Sequence, residues 1–167
     1  MDAIYKRRSI RKFTSEPVSE KNLKEIIKAG MNAPSAGNER PWYFIVINER
    51  KLLDEIPKIH PYSSMLHEAP VAVAVCGDLS LEKYEGYWVQ DCSAATQNML
   101  LEIADLGLGG VWLGVHPIKD RVERISRLLG IPENVIPLSL IAIGHPAEIK
   151  KPNNEFDEQR IKYNRWV

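Results

Sequence analysis

Three arginines and a serine near the start of the chain, in the run Arg7-Arg8-Ser9-Ile10-Arg11, have the chemistry to bind a phosphate. A guanidinium is planar and donates paired hydrogen bonds to phosphate oxygens, and a neighbouring hydroxyl adds another contact. A run of basic residues is, however, more often a solvated surface. The cluster therefore predicts a phosphate site only if a second feature of the chain supports it.

A polar loop at residues 33–42 supplies that second feature. Proline and glycine punctuate it, it separates a helical pattern from an apolar run, and such loops commonly carry function. Asn38 offers both a donor and an acceptor, as the mixed edge of a pyrimidine ring requires, although an asparagine here could simply shape a turn. Together the two segments predict a phosphorylated ligand with a polar ring.

The composition argues against several classes of protein. Lys plus Arg number 22 and Asp plus Glu also number 22, whereas nucleic-acid-binding domains usually carry an excess of positive charge. A chain of 167 residues fits one domain, and we expect neither a secretory signal nor a membrane segment. Cys76 and Cys92 lie in apolar segments and fit a reducing, cytoplasmic setting. The histidines show no paired metal-ligand spacing, so no metal is expected.

The hydrophobic pattern predicts the elements that position these segments. Helical spacing, with Ser19 and Asn48 as N-caps and Pro117 as a helix start, predicts helices at 19–31, 48–57, 87–106 and 117–130. Continuous apolar runs predict strands at 42–47, 71–76, 111–115 and 136–143. Strands that alternate with helices indicate an α/β or α+β domain in which part of the pairing is antiparallel. The polar stretch 147–167 is expected to wrap a surface as a C-terminal arm.

No familiar catalytic motif is present. The glycine-rich stretch 107–114 has Trp112 where a dinucleotide fingerprint needs its third glycine, and it opens a strand instead of a helix. The chain has no P-loop and no nucleophile elbow, and no carboxylate pair stands out. We therefore expect no catalytic side chain, and a cofactor that performs its own chemistry would explain that absence.

Three motifs, in this order, resemble the nitroreductase family of flavoproteins. They are the run Arg7-Arg8-Ser9-Ile10-Arg11-Lys12-Phe13, the loop Ala33-Pro34-Ser35-Ala36-Gly37-Asn38-x-x-Pro41-Trp42, and Gly107-x-Gly109-x-x-Trp112-x-Gly114. The resemblance covers essentially the whole chain, down to Tyr163-Asn164-Arg165-Trp166. It implies an α+β sandwich with a mainly antiparallel sheet flanked by helices, and a single FMN-binding domain over 1–167. It further implies a homodimer with active sites at the subunit interface.

The resemblance also assigns roles to residues at the flavin. Those expected to hold the phosphate and ribityl end are Arg7, Arg8 and Ser9, with Lys150 or Lys151 where an arginine would be looked for. Arg11 is expected beside the N1 and O2 edge of the flavin, where a fixed cation favours reduction. Those expected to reach the flavin of the neighbouring subunit are Pro34, Ser35 and Asn38. The segment placed behind the ring, offering a backbone N–H to N5 near Gly114, is Leu113, Gly114 and Val115. Ser63 and Ser64 are further candidates.

The reaction expected from this resemblance is a ping-pong oxidoreduction. NADH or NADPH gives a hydride to FMN and leaves, and an electron-poor acceptor such as a nitroaromatic or a quinone then takes its place. Related chemistry on the same fold remains an alternative: dehalogenation, flavin fragmentation or azoline oxidation. A protein that stores or senses FMN without turnover is a third possibility. The sequence does not choose between NADH and NADPH, and it does not name the acceptor.

Overall fold

A four-stranded antiparallel sheet forms the centre of the computed structural model, which describes residues 3–166. Its strands are β1 (Trp42–Ile47), β2 (Val71–Asp78), β3 (Gly109–Gly114) and β4 (Val135–Gly144), in the spatial order β1-β2-β4-β3. Every residue of the central strand β2 is buried, which explains its unbroken apolar sequence. The predicted α+β class and mainly antiparallel sheet are confirmed.

Among the described residues, five α-helices accompany the sheet: α1 (Ala3–Lys6), α2 (Glu20–Met31), α3 (Arg50–Glu55), α4 (Trp88–Asp105) and α5 (Lys119–Leu129). The side chains of β2 divide between the two faces of the sheet. Val73 and Val75 join the apolar cluster of α2 and α4, whereas Ala72 and Ala74 join that of α3 and α5. Because successive strand residues point to opposite faces, the sheet lies between two helical layers. None of the helices within residues 3–166 has both the length and the apolar character to cross a bilayer.

The helix ends correct two details of the sequence prediction. Ser19 caps α2 as predicted, its Oγ accepting the Asn22 N–H at 3.2 Å. Asn48 is not the cap of α3, because that helix begins one residue later than expected, with Glu49 as its N-cap residue. Pro117 does not begin α5 either. The N–H groups of Val115 and His116 both donate to the Leu138 carbonyl, so the chain is still turning there and the helix starts at Lys119.

The amino-terminal segment lies along the outer edge of β3. Ser9 forms a parallel bridge with Gly110, and the Ile10 N–H donates to the Gly110 carbonyl at 3.0 Å. Further along, the Thr14 N–H donates to the His145 carbonyl at 2.9 Å. The arginine cluster is therefore fixed to the sheet by backbone hydrogen bonds. A β-carbon on Gly109 would lie 2.9 Å from Cβ of Ile10, so this close approach requires a glycine.

We predict that Gly109→Ala destabilises the protein by about 1–3 kcal/mol, because the added methyl must displace the main chain at Ile10 and not merely a flexible side-chain end. Urea unfolding of ligand-free protein measures the change. Gly114→Ala is the matched control in the same strand, since its β-carbon would have no atom within 4 Å. Equal unfolding midpoints for the two variants would contradict the prediction.

Candidate functional site

The outer edge of β3 carries unused backbone groups. The Val115 N–H donates to the Leu138 carbonyl at 3.0 Å, and Leu113 is registered with Leu140. Neighbouring residues of an antiparallel strand direct their backbone groups to opposite sides. Gly114 therefore directs its N–H and C=O away from β4, as Gly110 does when its carbonyl accepts the Ile10 N–H. The outer edge of β3 thus offers a backbone donor at Gly114.

Gly114 also leaves room in front of that donor. No atom lies within 4 Å of the position that a β-carbon would take, and the residue is only partly buried. Its neighbours Leu113 and Val115 have buried side chains in the core, and the Val115 N–H is already used by β4. Among the three predicted residues, Gly114 alone combines open space with an outward N–H. A flat polar ring with an acceptor atom fits such a surface.

Two side chains hold the Gly114 carbonyl. His60 Nε2 lies 2.9 Å from it and Arg121 Nη1 lies 3.2 Å away. The Tyr62 N–H donates to His60 Nδ1 at 3.3 Å, so the imidazole is assigned as the tautomer that carries its proton on Nε2. Burial is the main cause that lowers the pKa of His60, and the charge of Arg121 adds to it, while the bond to Gly114 opposes the shift. His60 is therefore a neutral positioning residue.

Arg121 also lies against an exposed aromatic ring. Its guanidinium carbon lies 5.8 Å from the centroid of the Tyr62 ring, and Tyr62 is 72% exposed. An arginine over an aromatic face is held there by the ring's negative quadrupole. The surface beside Gly114 therefore presents an aromatic ring and a cation, both anchored by β3.

A basic cavity of about 250 Å³ lies at the other end of β3. It is bounded by the last turn of α4, Gly110 and the chain after β4, and its basic lining residues are Lys6, Arg7, Arg8 and Lys150. Lys150 Nζ donates to the Ser9 carbonyl at 2.6 Å and lies 3.4 Å from Glu148 Oε1. An ammonium has three donors, so one remains for a ligand. The cavity thus joins two segments that lie 141 residues apart in sequence.

Glu148 places one negative charge among these cations. Its Oε1 accepts the Arg11 N–H at 2.6 Å, and this bond is the main cause that lowers the pKa of Glu148, with Lys150 also contributing. The Arg11 side chain is exposed. Glu148 therefore fixes the backbone at Arg11 and the position of Lys150, which organises the cavity at the cost of some positive potential.

The two ends of this surface, Gly110 and Gly114, are four positions apart on β3. At about 3.3 Å per strand residue, Gly110 and Gly114 lie roughly 13 Å apart. A ligand with an anionic group in the basic cavity and a ring against Gly114 would lie along the outer edge of β3. This arrangement fits an elongated phosphorylated molecule with a flat head.

The loop at 33–42 lies near the amino-terminal end of α4. Pro34 and Asn38 are exposed and Ser35 is partly buried. Asn38 adopts a left-handed conformation with φ of 55°, and its Oδ1 accepts Arg40 Nε at 2.8 Å. Ser35 Oγ accepts the Arg40 N–H at 3.1 Å. The loop is bound to α4 and to the segment 82–84, so it is fixed without contributing to the basic cavity.

The two candidate serines differ in accessibility. Ser63 is fully buried and its hydroxyl donates to the His60 carbonyl at 2.7 Å, which stabilises the turn that carries His60. Ser64 is exposed at the start of the 3-10 turn Ser64–His67. Of these two hydroxyls, only that of Ser64 faces solvent.

Sequence reasoning missed several groups around the site. His60 lies 54 positions from Gly114 in the sequence, and Arg121 lies 7 positions from it on a different element. No local sequence pattern predicts these two contacts. A buried carboxylate pair, Glu39 and Asp91, was also missed. Here a signal existed, because Asp91 falls three residues after Trp88 and four before Ala95, within the apolar stripe of α4.

Comparison with known proteins shows that the chain is similar to nitroreductases. The model of the nitroreductase family matches residues 4–62 and 57–145. A protein of Methanothermobacter thermautotrophicus named "Putative NADH dehydrogenase/NAD(P)H nitroreductase" is 52% identical over 99% of this chain and 87% of its own length. A crystal structure from Parabacteroides distasonis with the same name is 39% identical, with a TM-score of 0.95 over 99% of this chain and 97% of that one. An FMN-dependent nitroreductase of Clostridium difficile is 28% identical, with a TM-score of 0.91 over 98% of both chains.

We predict that His60 makes the protein less stable in acid. Its pKa in the folded state lies below the ordinary value of 6.5, so the unfolded chain binds the proton more readily. The stabilisation is complete above pH 6.5 and is lost as the pH falls through the lowered pKa, with a slope of at most about 1.4 kcal/mol per pH unit. Urea unfolding between pH 7 and pH 5 measures it.

The matching variants are His60→Gln and His67→Gln. A glutamine at 60 keeps an amide donor for Gly114 but does not titrate, so the slope should decrease. His67 is exposed beside Asp54, and its replacement should leave the slope of the unfolding free energy against pH nearly unchanged between pH 7 and pH 5. An identical acid slope in the His60→Gln protein would contradict the assignment.

Proposed function

The chain belongs to the nitroreductase family, and from that premise we propose that two copies bind FMN along the outer edge of β3, with the phosphate in the basic cavity and the ring at Gly114. The protein is an FMN-dependent NAD(P)H oxidoreductase. The observation that carries the proposed placement is the pairing of a cationic cavity and an open glycine with an outward N–H on one strand edge.

The phosphate end would be held by side-chain cations. Arg7 and Arg8 line the cavity beside Lys150, and Ser9 lies at its edge through its bridge to Gly110. Guanidiniums bind phosphate oxygens in pairs, and Lys150 adds a single point charge. The Lys150 bond to the Ser9 carbonyl brings together both segments that would contact the phosphate. Lys151 is exposed and does not line this cavity.

The ring end would be held by the backbone at Gly114. Its N–H would donate to N5, and the missing side chain would let the ring approach the strand. His60 and Arg121 hold the carbonyl of the same residue, so the strand end is fixed before a ligand arrives. Arg11, with its exposed side chain, would provide the cation for the N1 and O2 edge, where negative charge accumulates on reduction.

The chain supplies positioning, not side-chain catalysis. When bound, FMN would supply the redox chemistry, in which NADH or NADPH is oxidised and an electron-poor acceptor is then reduced in a ping-pong sequence. We propose nitroaromatics and quinones as acceptors, since a flat electron-poor ring can stack on the exposed surface in front of Gly114. Tyr62 and Arg121 border that surface and would contact the nicotinamide or the acceptor.

A second copy of the chain would complete the site. Residues 151–166 are all exposed, and they include Phe156 at 79% and Trp166 at 87%. Several large apolar side chains exposed within one short segment favour an arm that packs on a partner. Pro34, Ser35 and Asn38, which do not line the basic cavity of their own chain, would then reach the partner's flavin. We propose a homodimer of single-domain subunits, each with residues 147–167 as its arm.

The test of this function is spectroscopic. The purified protein should show an oxidised flavin absorbance that is bleached anaerobically by NADH or NADPH and restored by menadione or a nitroaromatic. Gly114→Ala should fold but bind flavin more weakly, since its methyl enters the space proposed for the ring. A protein that binds FMN and is bleached by neither nicotinamide would exclude the oxidoreductase reaction. Protein that binds no added FMN would exclude the site itself.

We predict that Arg7→Ala weakens FMN binding by roughly ten- to a hundred-fold, because it removes a charged hydrogen-bonding partner of the phosphate worth about 1.5–3 kcal/mol. Fluorescence titration of flavin-free protein measures the dissociation constant. Arg127→Ala, an exposed arginine of α5, is the control and should change it little. Riboflavin, which lacks the phosphate, should bind the Arg7→Ala and unchanged proteins nearly equally.

A further inference from the structure

Two buried carboxyl groups meet beneath the loop at 33–42. Glu39 is 8% exposed and Asp91 is 4% exposed. Asp91 Oδ1 accepts the Ala36 N–H at 3.0 Å, and Glu39 Oε2 accepts the Lys83 N–H at 2.6 Å and the Tyr84 N–H at 3.3 Å. The other oxygen of each group, Glu39 Oε1 and Asp91 Oδ2, is buried and has no donor within residues 3–166.

Within residues 3–166, no cation compensates for these two oxygens. Lys83 Nζ donates to the Gly37 carbonyl at 3.0 Å, and Arg40 Nε donates to Asn38 Oδ1 at 2.8 Å. Glu82, the third acid of the neighbourhood, accepts the Trp88 N–H at 3.1 Å and adds negative charge. The described residues contain no group of three or more metal-ligating side chains. Two ionised carboxylates facing each other in this position would pay both the desolvation penalty and their mutual repulsion.

A single proton removes this conflict. Both groups lie at the same turn, since Asp91 Oδ1 accepts the Ala36 N–H at 3.0 Å and the Glu39 N–H donates to the Ala36 carbonyl at 2.9 Å. A hydrogen bond with Glu39 is among the causes that raise the pKa of Asp91. While both are ionised, each oxygen only accepts and no bond can form between them. With one proton, one group becomes a donor to the other, both orphaned oxygens are satisfied, and only one negative charge remains buried. Carboxyl pairs that share a proton in this way form short, strong hydrogen bonds.

We propose that Glu39 and Asp91 share one proton between Glu39 Oε1 and Asp91 Oδ2, and that this bridge positions the loop residues that contact the flavin. The first half stands on the buried pair alone, and the second half rests on the proposed function. Each carboxyl group also binds a backbone N–H, so the bridge connects the loop at Ala36 to α4 and to the segment at Lys83.

The loop needs such an anchor. Gly37 and Asn38 both lie in the left-handed region, with φ of 50° and 55°, and a β-carbon on Gly37 would lie 2.5 Å from the Tyr84 ring. Left-handed backbone at a non-glycine residue persists only where the surroundings fix it. Asn38 is one of the residues proposed to reach the partner's flavin. The carboxyl pair is therefore a positioning device for that contact.

The proton makes the loop sensitive to rising pH. Burial is the main cause that raises the pKa of Asp91 above its ordinary 3.8, the hydrogen bond with Glu39 and the charges of Glu39 and Glu82 add to it, and the Ala36 N–H opposes it. A raised pKa in the folded state means that the bridge stabilises the fold most at low pH. This stabilisation is lost as the pH rises through the raised pKa of Asp91.

Amide substitutions test the proton directly. In Glu39→Gln, the side-chain oxygen still accepts from Lys83 while the new amide donates to Asp91 Oδ2. In Asp91→Asn, the oxygen still accepts from Ala36 while the amide donates to Glu39 Oε1. Each single variant therefore replaces the proton with a permanent donor. The double variant places two amide donors against each other and should restore the conflict. Asp105→Asn, an exposed acid of the same helix, is the control.

Urea unfolding midpoints and FMN dissociation constants are measured from pH 4 to pH 9 for all five proteins. The unchanged protein should lose stability and flavin affinity as the pH rises through the raised pKa of Asp91, as should the control. Both single variants should bind flavin as tightly as the unchanged protein does at its lowest pH, without this loss. The double variant should be less stable than either and bind FMN about ten-fold more weakly throughout the range.

Three results would overturn the inference or part of it. A double variant as stable as the single variants would rule out the shared proton, and so would a loss of stability with rising pH that persists in both single variants. If the unfolding data are as expected but the double variant binds flavin as tightly as the unchanged protein, the carboxyl pair does not position the loop for flavin binding. If the unchanged protein binds no FMN, the proposed function fails, and the unfolding data still decide whether the proton is shared.

Discussion

The alternation of backbone groups along β3 is the constraint on which the rest of the site depends. One side of the strand pairs with β4, and Leu113 and Val115 direct their backbone groups to that side. In the part of the chain that the structure describes, the other side has no neighbouring strand beyond the bridge at Ser9. An exposed sheet edge is ordinarily a liability, because its free N–H and C=O groups attract another chain. Here that edge is short, covered at Gly110 by the amino-terminal segment, and left open at Gly114, where a ligand can satisfy it.

Much of the fold followed from the sequence, because its causes are local. β2 and β4 are buried on both faces, which makes them continuous apolar runs, and the cap at Ser19 and the left-handed Gly130 mark helix ends with specific chemistry. The errors at Asn48 and Pro117 have the opposite cause. Both residues suit a helix start by type, but tertiary hydrogen bonds around Leu138 and the geometry at Glu49 decide where the helices begin.

Candidate residues could be named from the sequence where they fall within one motif, and could not be named where distant residues meet. The arginine run, the Ser35–Asn38 loop and the glycines of β3 are each contiguous, so a family resemblance could assign them. The direction of the Gly114 N–H, by contrast, depends on strand register, and the Lys150 contact with Ser9 depends on the path of the whole chain. The carboxyl pair shows a third case, in which Asp91 interrupts an apolar stripe but its partner Glu39 lies on a loop 52 residues earlier.

The basic cavity and the carboxyl pair lie at opposite ends of α4, so the dipole of this helix acts on both. Its last turn, near Ile103 and Ala104, borders the basic cavity, where the partial negative charge of a helix carboxyl end attracts cations and disfavours a bare anion. A phosphate placed there cannot rely on backbone N–H groups, as it would at a helix amino end, and so needs several cationic side chains. Asp91 lies near the first turn of the same helix, where the dipole favours negative charge. After the carboxyl pair takes up a proton, it keeps one negative charge. The amino end of α4 stabilises that charge, whereas a second charge would still be repelled by the first.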